Sequence, residues 1–136
     1  MVPTPGSQSA VLDALQTYFD ALYECDVEAL RRVFHPRAIY VCPTGEDLVY
    51  WTMDEYFPVV EARTPPAARG EIRRDAVEAI SFAGPKTAFA RVRCSIGEKY
   101  FTDFLTLILD QGRWRIISKV FHFDLLPEED KAPCHT

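Results

Sequence analysis

The sequence predicts an α+β fold in which three helices precede a four-stranded run. Three observations carry this. Apolar side chains recur at helical spacing through the first 35 or so positions. A capping signal at Thr52 opens a third helix after a small hairpin. From Lys86 to Phe123 the chain reads as three β-rich runs joined by Gly97-Glu98 and Gln111-Gly112, two-residue links of the kind that close hairpins.

In chain order, positions 1–7 read as a flexible lead-in. Ser7 or Ser9 can then cap a long amphipathic helix with Val11, Leu15, Tyr18 and Leu22 on one stripe. Asp26 caps a shorter helix bearing Val27, Leu30, Val33 and Phe34, which Pro36 ends. Arg37 to Cys42 and Leu48 to Trp51 form a hairpin across the turn residues Pro43 to Asp47. Thr52 and Glu55 fit a capping box, with Trp51 placed to staple onto Tyr56. Pro58 lies too deep for a first-turn proline and predicts a kink or a single loose turn. Thr64 to Gly70 is a loop. Glu71 to Phe82 is the first long strand, with a bulge because Val77 and Ile80 cannot otherwise share a face. Residues 1–126 make a single domain, and 127–136 an acidic, proline-broken tail.

Side chains alternate along a strand, so pairing Asp110 with Arg113 sorts the last hairpin by face. Phe101, Asp103, Leu105, Trp114, Ile116, Ser118 and His122 fall together, and the preceding hairpin adds Val92 and Cys94. This face is apolar at the turn end and polar at the other, the pattern of a pocket rather than a packed core. The opposite face mixes Phe104, Ile108, Ile117 and Phe121 with Arg91, Arg93, Arg113, Arg115 and Lys119. Such a surface suits a homodimer joined through the outer sheet face. A one-residue slip would exchange the two faces and bring Lys119 beside Asp103.

Composition sets outer bounds. The chain has 136 residues, 48% hydrophobic and 26% charged, with a net charge of -5. That is ordinary for one soluble globular domain. There is no basic block, which argues against nucleic acid or an anionic membrane as partner. No apolar run reaches the ~20 residues of a membrane helix, and the N-terminus has no secretory pattern, so a cytoplasmic location is expected. Cysteines 25, 42, 94 and 134 lack metal or redox spacing and are read as reduced thiols. No phosphate loop, metalloprotease or nucleophile-elbow motif is present, so neither a cofactor nor a metal is expected.

Asp103 leads the candidate chemistry. Walled by Val92, Phe101 and Leu105 and diagonal to His122, it is placed for proton transfer, worth about 10²- to 10⁴-fold in rate. The competing reading is a carboxylate that orders the sheet through tyrosine or lysine partners. His122 gains a role only if Asp103 is near it. Tyr18 and Tyr40 are the better phenolic donors to a substrate carbonyl, against a reading of each as core wall. Cys94 reads as a small core residue, because a neighbouring carboxylate opposes thiolate formation. His35, between Phe34 and Pro36, reads as a helix-end cap. Phe34, Tyr56, Val92, Cys94, Phe101, Leu105 and Ser118 are the expected pocket lining.

The element order, Phe34-His35-Pro36 after the second helix, Tyr100 to Leu105 and Gly112 to His122 together resemble the nuclear transport factor 2-like superfamily. Within it the chain is most similar to the uncharacterised group named putative lumazine-binding, and more loosely to polyketide-cyclase and ketosteroid-isomerase relatives. The resemblance implies a cone, or cystatin-like roll, in which a strongly curved mixed or antiparallel sheet wraps three helices around a cavity. It also implies a small, apolar, carbonyl-bearing ligand and isomerase, dehydratase or cyclase chemistry by proton transfer. A ligand-binding or assembly module on the same scaffold is the alternative.

Overall fold

The structure is a computed structural model that describes residues 5–126. Positions 1–4 of the expected lead-in and the acidic tail 127–136, with Cys134 and His135, lie outside the described residues. Helix α1 (Pro5–Glu24) already contains positions 5–7 in its first turn. Val11, Leu15, Tyr18 and Leu22 are buried along one stripe of it, as the helical spacing requires. Cys25, at φ 51, ends the helix in the left-handed region. Asp26 then accepts the Ala29 N–H at 3.1 Å to start α2 (Val27–Val33).

Strand β1 (Phe34–Cys42) begins three residues earlier than expected, directly after α2. Pro36 falls in an irregular stretch where the β1 register shifts, between Phe34 and Ile39, so its missing N–H costs no ladder bond. β2 (Val49–Thr52) pairs antiparallel to β1. The Glu55 carboxylate accepts from the Thr52 N–H and hydroxyl at 3.0 and 3.1 Å and opens α3 (Met53–Ala62). Tyr40 lies between the two expected staple partners, stacked on Trp51 at 5.1 Å and on Tyr56 at 4.3 Å. The single loose turn offered as one outcome at Pro58 does not occur: α3 runs through it for ten residues. Pro58 and Asp54, whose carbonyl loses its partner, both face solvent, where water can satisfy the freed group.

A 3-10 turn (Pro66–Arg69) follows, and then β3 (Ala76–Ala83). The stretch 71–75 is not strand. Its side chains tie elsewhere: Glu71 accepts the Gly97 N–H at 2.9 Å, and Arg73 pairs with Asp20 and Asp75. The expected bulge in β3 is present as a register shift between Val77 and Ala79. β4 (Thr87–Ile96), β5 (Lys99–Asp110) and β6 (Arg113–Leu125) complete the chain. Gln111 and Gly112 both take positive φ, 52 and 77, as a two-residue hairpin turn twisted with its strands demands.

The sheet order is β2-β1-β6-β5-β4-β3, with β1 and β6 parallel and every other neighbour antiparallel. This curved, unclosed mixed sheet wraps its concave side around the helices. One further irregularity decides the site. Leu107 pairs with Ile116 but Thr106 pairs with Ser118, so Ile117 is an extra residue in β6. A single inserted residue reverses the facing of everything beyond it. Trp114 and Ile116 point to the concave side before the bulge; Lys119, Phe121 and Phe123 do so after it. Ser118, Val120 and His122 are turned to the convex side, contrary to the unbroken alternation expected from sequence.

Candidate functional site

Asp103 sits on the concave face of β5 with no solvent exposure. Its Oδ2 accepts a hydrogen bond from the Tyr18 hydroxyl of α1 at 2.5 Å. Its Oδ1 is buried and has no hydrogen-bond partner among the described residues. Buried polar atoms are nearly always satisfied, so an orphan oxygen marks a place of interest. Across the strand pair, Lys119 of β6 is the diagonal neighbour of Asp103, with Nζ 4.0 Å from Oδ2.

The Lys119 ammonium is boxed by aromatic faces. Ring centroids of Phe121, Tyr18, Tyr40 and Tyr56 lie 5.0, 5.2, 5.2 and 5.8 Å from Nζ. Each is within cation–π range, an attraction that grows when the cation is desolvated. Burial pushes the Tyr40 phenol up to about 12, with Lys119 and Arg63 opposing it. Burial likewise raises Tyr56, against Arg63, and raises Tyr18, where Asp103 adds to the effect. All three hydroxyls are therefore neutral hydrogen-bond donors at ordinary pH. Cys94 is also raised by burial first and Asp103 second, which suits a packed thiol.

A cavity of about 450 Å³ opens beside this cluster. Tyr40, Phe101, Phe121, Phe123 and Trp51 form its apolar walls, and Arg63, Arg69, Lys99 and Glu98 stand among its lining. Phe101 precedes Asp103 by two residues and Phe121 follows Lys119 by two. The ion pair thus lies one strand repeat, about 7 Å, deeper than the cavity wall. Tyr40 and Phe121 belong to both, as cavity lining and as faces of the lysine box.

The expected site residues are brought together only in part. Asp103, Tyr18 and Tyr40 converge. His122 does not: its side chain is 56% exposed on the convex side, where its Nδ1 meets the Thr44 hydroxyl at 2.8 Å and its Nε2 meets Asp124 at 3.0 Å. Of the expected lining, Phe101 reaches the cavity. Phe34, Tyr56, Val92, Cys94 and Leu105 pack in the core behind it, and Ser118 faces away. The β6 bulge accounts for His122 and Ser118. Tyr56 is stacked on Tyr40, and Phe34 packs on Tyr18, Tyr56 and Phe57 away from this cavity. His35 stays outside the cavity, its Nδ1 accepting from the Arg37 N–H at 3.0 Å and its Nε2 3.3 Å from Asp110. Arg63 at the end of α3 and Phe121 and Phe123 on β6 were missed as pocket residues. An earlier bulge, not a motif, was the signal that could have found the last two.

Among the described residues no helix is long and apolar enough to cross a membrane, and no cluster of His, Cys, Asp or Glu could hold a metal ion. Cys25, Cys42 and Cys94 are free.

A curved mixed sheet folded over three helices, with an internal cavity, defines a nuclear transport factor 2-like protein. Solved structures agree. A nuclear transport factor 2-like protein of unknown function from Silicibacter pomeroyi superposes with a TM-score of 0.80 at 27% identity, over 91% of this chain and 100% of that one. A ketosteroid isomerase-like protein from Erwinia carotovora atroseptica gives 0.69 at 13% identity, over 88% and 98%. A cystatin-like fold protein from Burkholderia xenovorans gives 0.69 at 17%, over 91% and 96%. The chain belongs to the family described as Putative lumazine-binding, whose profile matches residues 6–122. No curated protein matches the sequence.

Proposed function

We propose that this is a small-molecule pocket protein that moves a proton on a largely apolar, carbonyl-bearing ligand, giving isomerisation, dehydration or cyclisation. The observation that carries the reading is the wholly buried Asp103 carboxylate, one oxygen held by Tyr18 and the other without a hydrogen-bond partner among the described residues, behind an apolar cavity. Asp103 is the acid or base. Lys119, in place of His122, is the charge beside it. Tyr40 is the neutral hydroxyl in the cavity wall that polarises the carbonyl.

The experiment follows proton exchange directly. Small ketones found to bind by thermal shift are incubated with the protein in D2O, and deuterium at the carbon beside the carbonyl is followed by NMR. Wild type should exchange it, and Asp103→Asn should bind the same ketones while losing about 10²-fold or more of the exchange. Exchange by Asp103→Asn at the wild-type rate would remove the mechanism.

A second reading has an observation of its own. Tyr40 and Phe121 line the cavity and Asp103 does not, as in a module that binds its ligand without transforming it. Tight binding with no exchange in wild type selects that reading. In either case we infer a homodimer through the convex sheet face, where Phe89 and Phe104 meet edge to face at 5.5 Å and remain 36% and 45% exposed.

A further inference from the structure

The mouth of the cavity runs against the charge of the whole chain. The protein is acidic, at -5, yet Arg63, Arg69 and Lys99 all line this opening, against Glu98. Arg69 is held from behind at 2.6 Å by Glu71, a carboxylate that is itself fixed by the Gly97 N–H. This ties the 3-10 turn to the β4–β5 hairpin and sets the position of Arg69. Lys99 lies 4.4 Å from the Phe123 ring. Arg63 makes no ion pair or side-chain hydrogen bond with the described residues, though it lines the cavity. Its charge reaches inward far enough to oppose the burial effect on the phenols of both Tyr40 and Tyr56.

Among the described residues, three cations therefore stand against two carboxylates, leaving one positive charge over at the rim of an apolar cavity. A half-buried guanidinium with no side-chain partner among the described residues is suited to a planar anion, which it can grip with two parallel N–H donors. A singly charged carboxylate balances the site. A doubly charged phosphate would leave it negative. We propose that the molecule held in this cavity is an amphipathic carboxylic acid, with its carboxylate at the mouth against Arg63 and Arg69 and its apolar body along Phe101, Phe121 and Phe123. This rests on the reading of the cavity as a small-molecule site and specifies the ligand class.

The test compares phenylbutanoate, naphthylacetate and decanoate with their uncharged primary amides, by calorimetry and by quenching of tryptophan fluorescence, since Trp51 lines the cavity. Each acid should bind roughly tenfold or more tightly than its amide. Added salt should narrow that gap. Arg63→Gln should bring it within about twofold while leaving amide binding as in wild type, which reports an intact cavity. Arg63→Lys, which keeps the charge and loses the fork, should fall between. Arg91→Gln, at a convex-face ion pair with Glu78, should keep the full gap. Equal binding of acids and amides by wild type overturns the anionic end and leaves the cavity reading standing. Failure of every acid and amide to bind removes the cavity reading and this inference with it. A gap undiminished in both Arg63 variants also overturns the assignment and makes that side chain a solvated cap of α3.

Discussion

Burying an ammonium costs several kcal/mol in desolvation, and Lys119 at 5% exposure recovers that cost from two sources. One is the Asp103 carboxylate at 4.0 Å and the other is the ring of aromatic faces. Removing one charge of such a pair strands the other in a low dielectric. Lys119→Met should therefore cost about 3–5 kcal/mol in urea unfolding, while adding Asp103→Asn to it should restore much of the loss. A single-variant loss under about 1 kcal/mol, or additive losses in the double variant, would mean that the two groups are not coupled. The sequence contains this pair but not its pairing. Asp103 was legible because a carboxylate interrupts an apolar strand face. Lys119 was legible only as the outcome of a one-residue slip, because alternation counted from the hairpin turn assigned it to the opposite side.

The seven residues of α2 are too few to hold a helix unaided, so its ends must be satisfied from outside. Asp26 caps the N-terminus. At the other end Arg113 and Arg115 of β6 donate to the carbonyls of Arg32 and Arg31 at 3.1 and 3.0 Å. Asp26→Ala should lower stability by about 1 kcal/mol in equilibrium denaturation. No change beyond error would show that the neighbouring strand alone sets the helix start. Elements of this kind were read correctly where the signal is local: Asp26, the Thr52–Glu55 pair, and Gln111-Gly112 act on their immediate neighbours. The reading failed where tertiary ties compete, as in stretch 71–75, where Glu71 and Arg73 reach for the β4–β5 turn and α1 rather than for a strand partner. Pro58 failed in the opposite direction, since a solvent-facing carbonyl tolerates the bond that proline removes.

At the scale of the whole molecule, the convex face leaves Phe89, Phe104 and Val120 exposed beside the Arg91–Glu78 pair. An aromatic pair of this kind on an open sheet is expected to be covered by a second copy. Phe104→Lys should convert a dimer measured by light scattering into a monomer with its cavity intact. A monomeric wild type at micromolar concentration would end the dimer reading. The amino-acid sequence determined the order of elements, the hairpin turns, the bulge in β3 and the presence of a polar carboxylate on an otherwise apolar face, because these depend on residues a few positions apart. The tertiary structure alone decided which side chains meet that carboxylate. One extra residue at Ile117 sends Lys119 and Phe121 inward and His122 outward, and whether a strand absorbs such a residue is settled by its curvature against its neighbours and the helices it must cover.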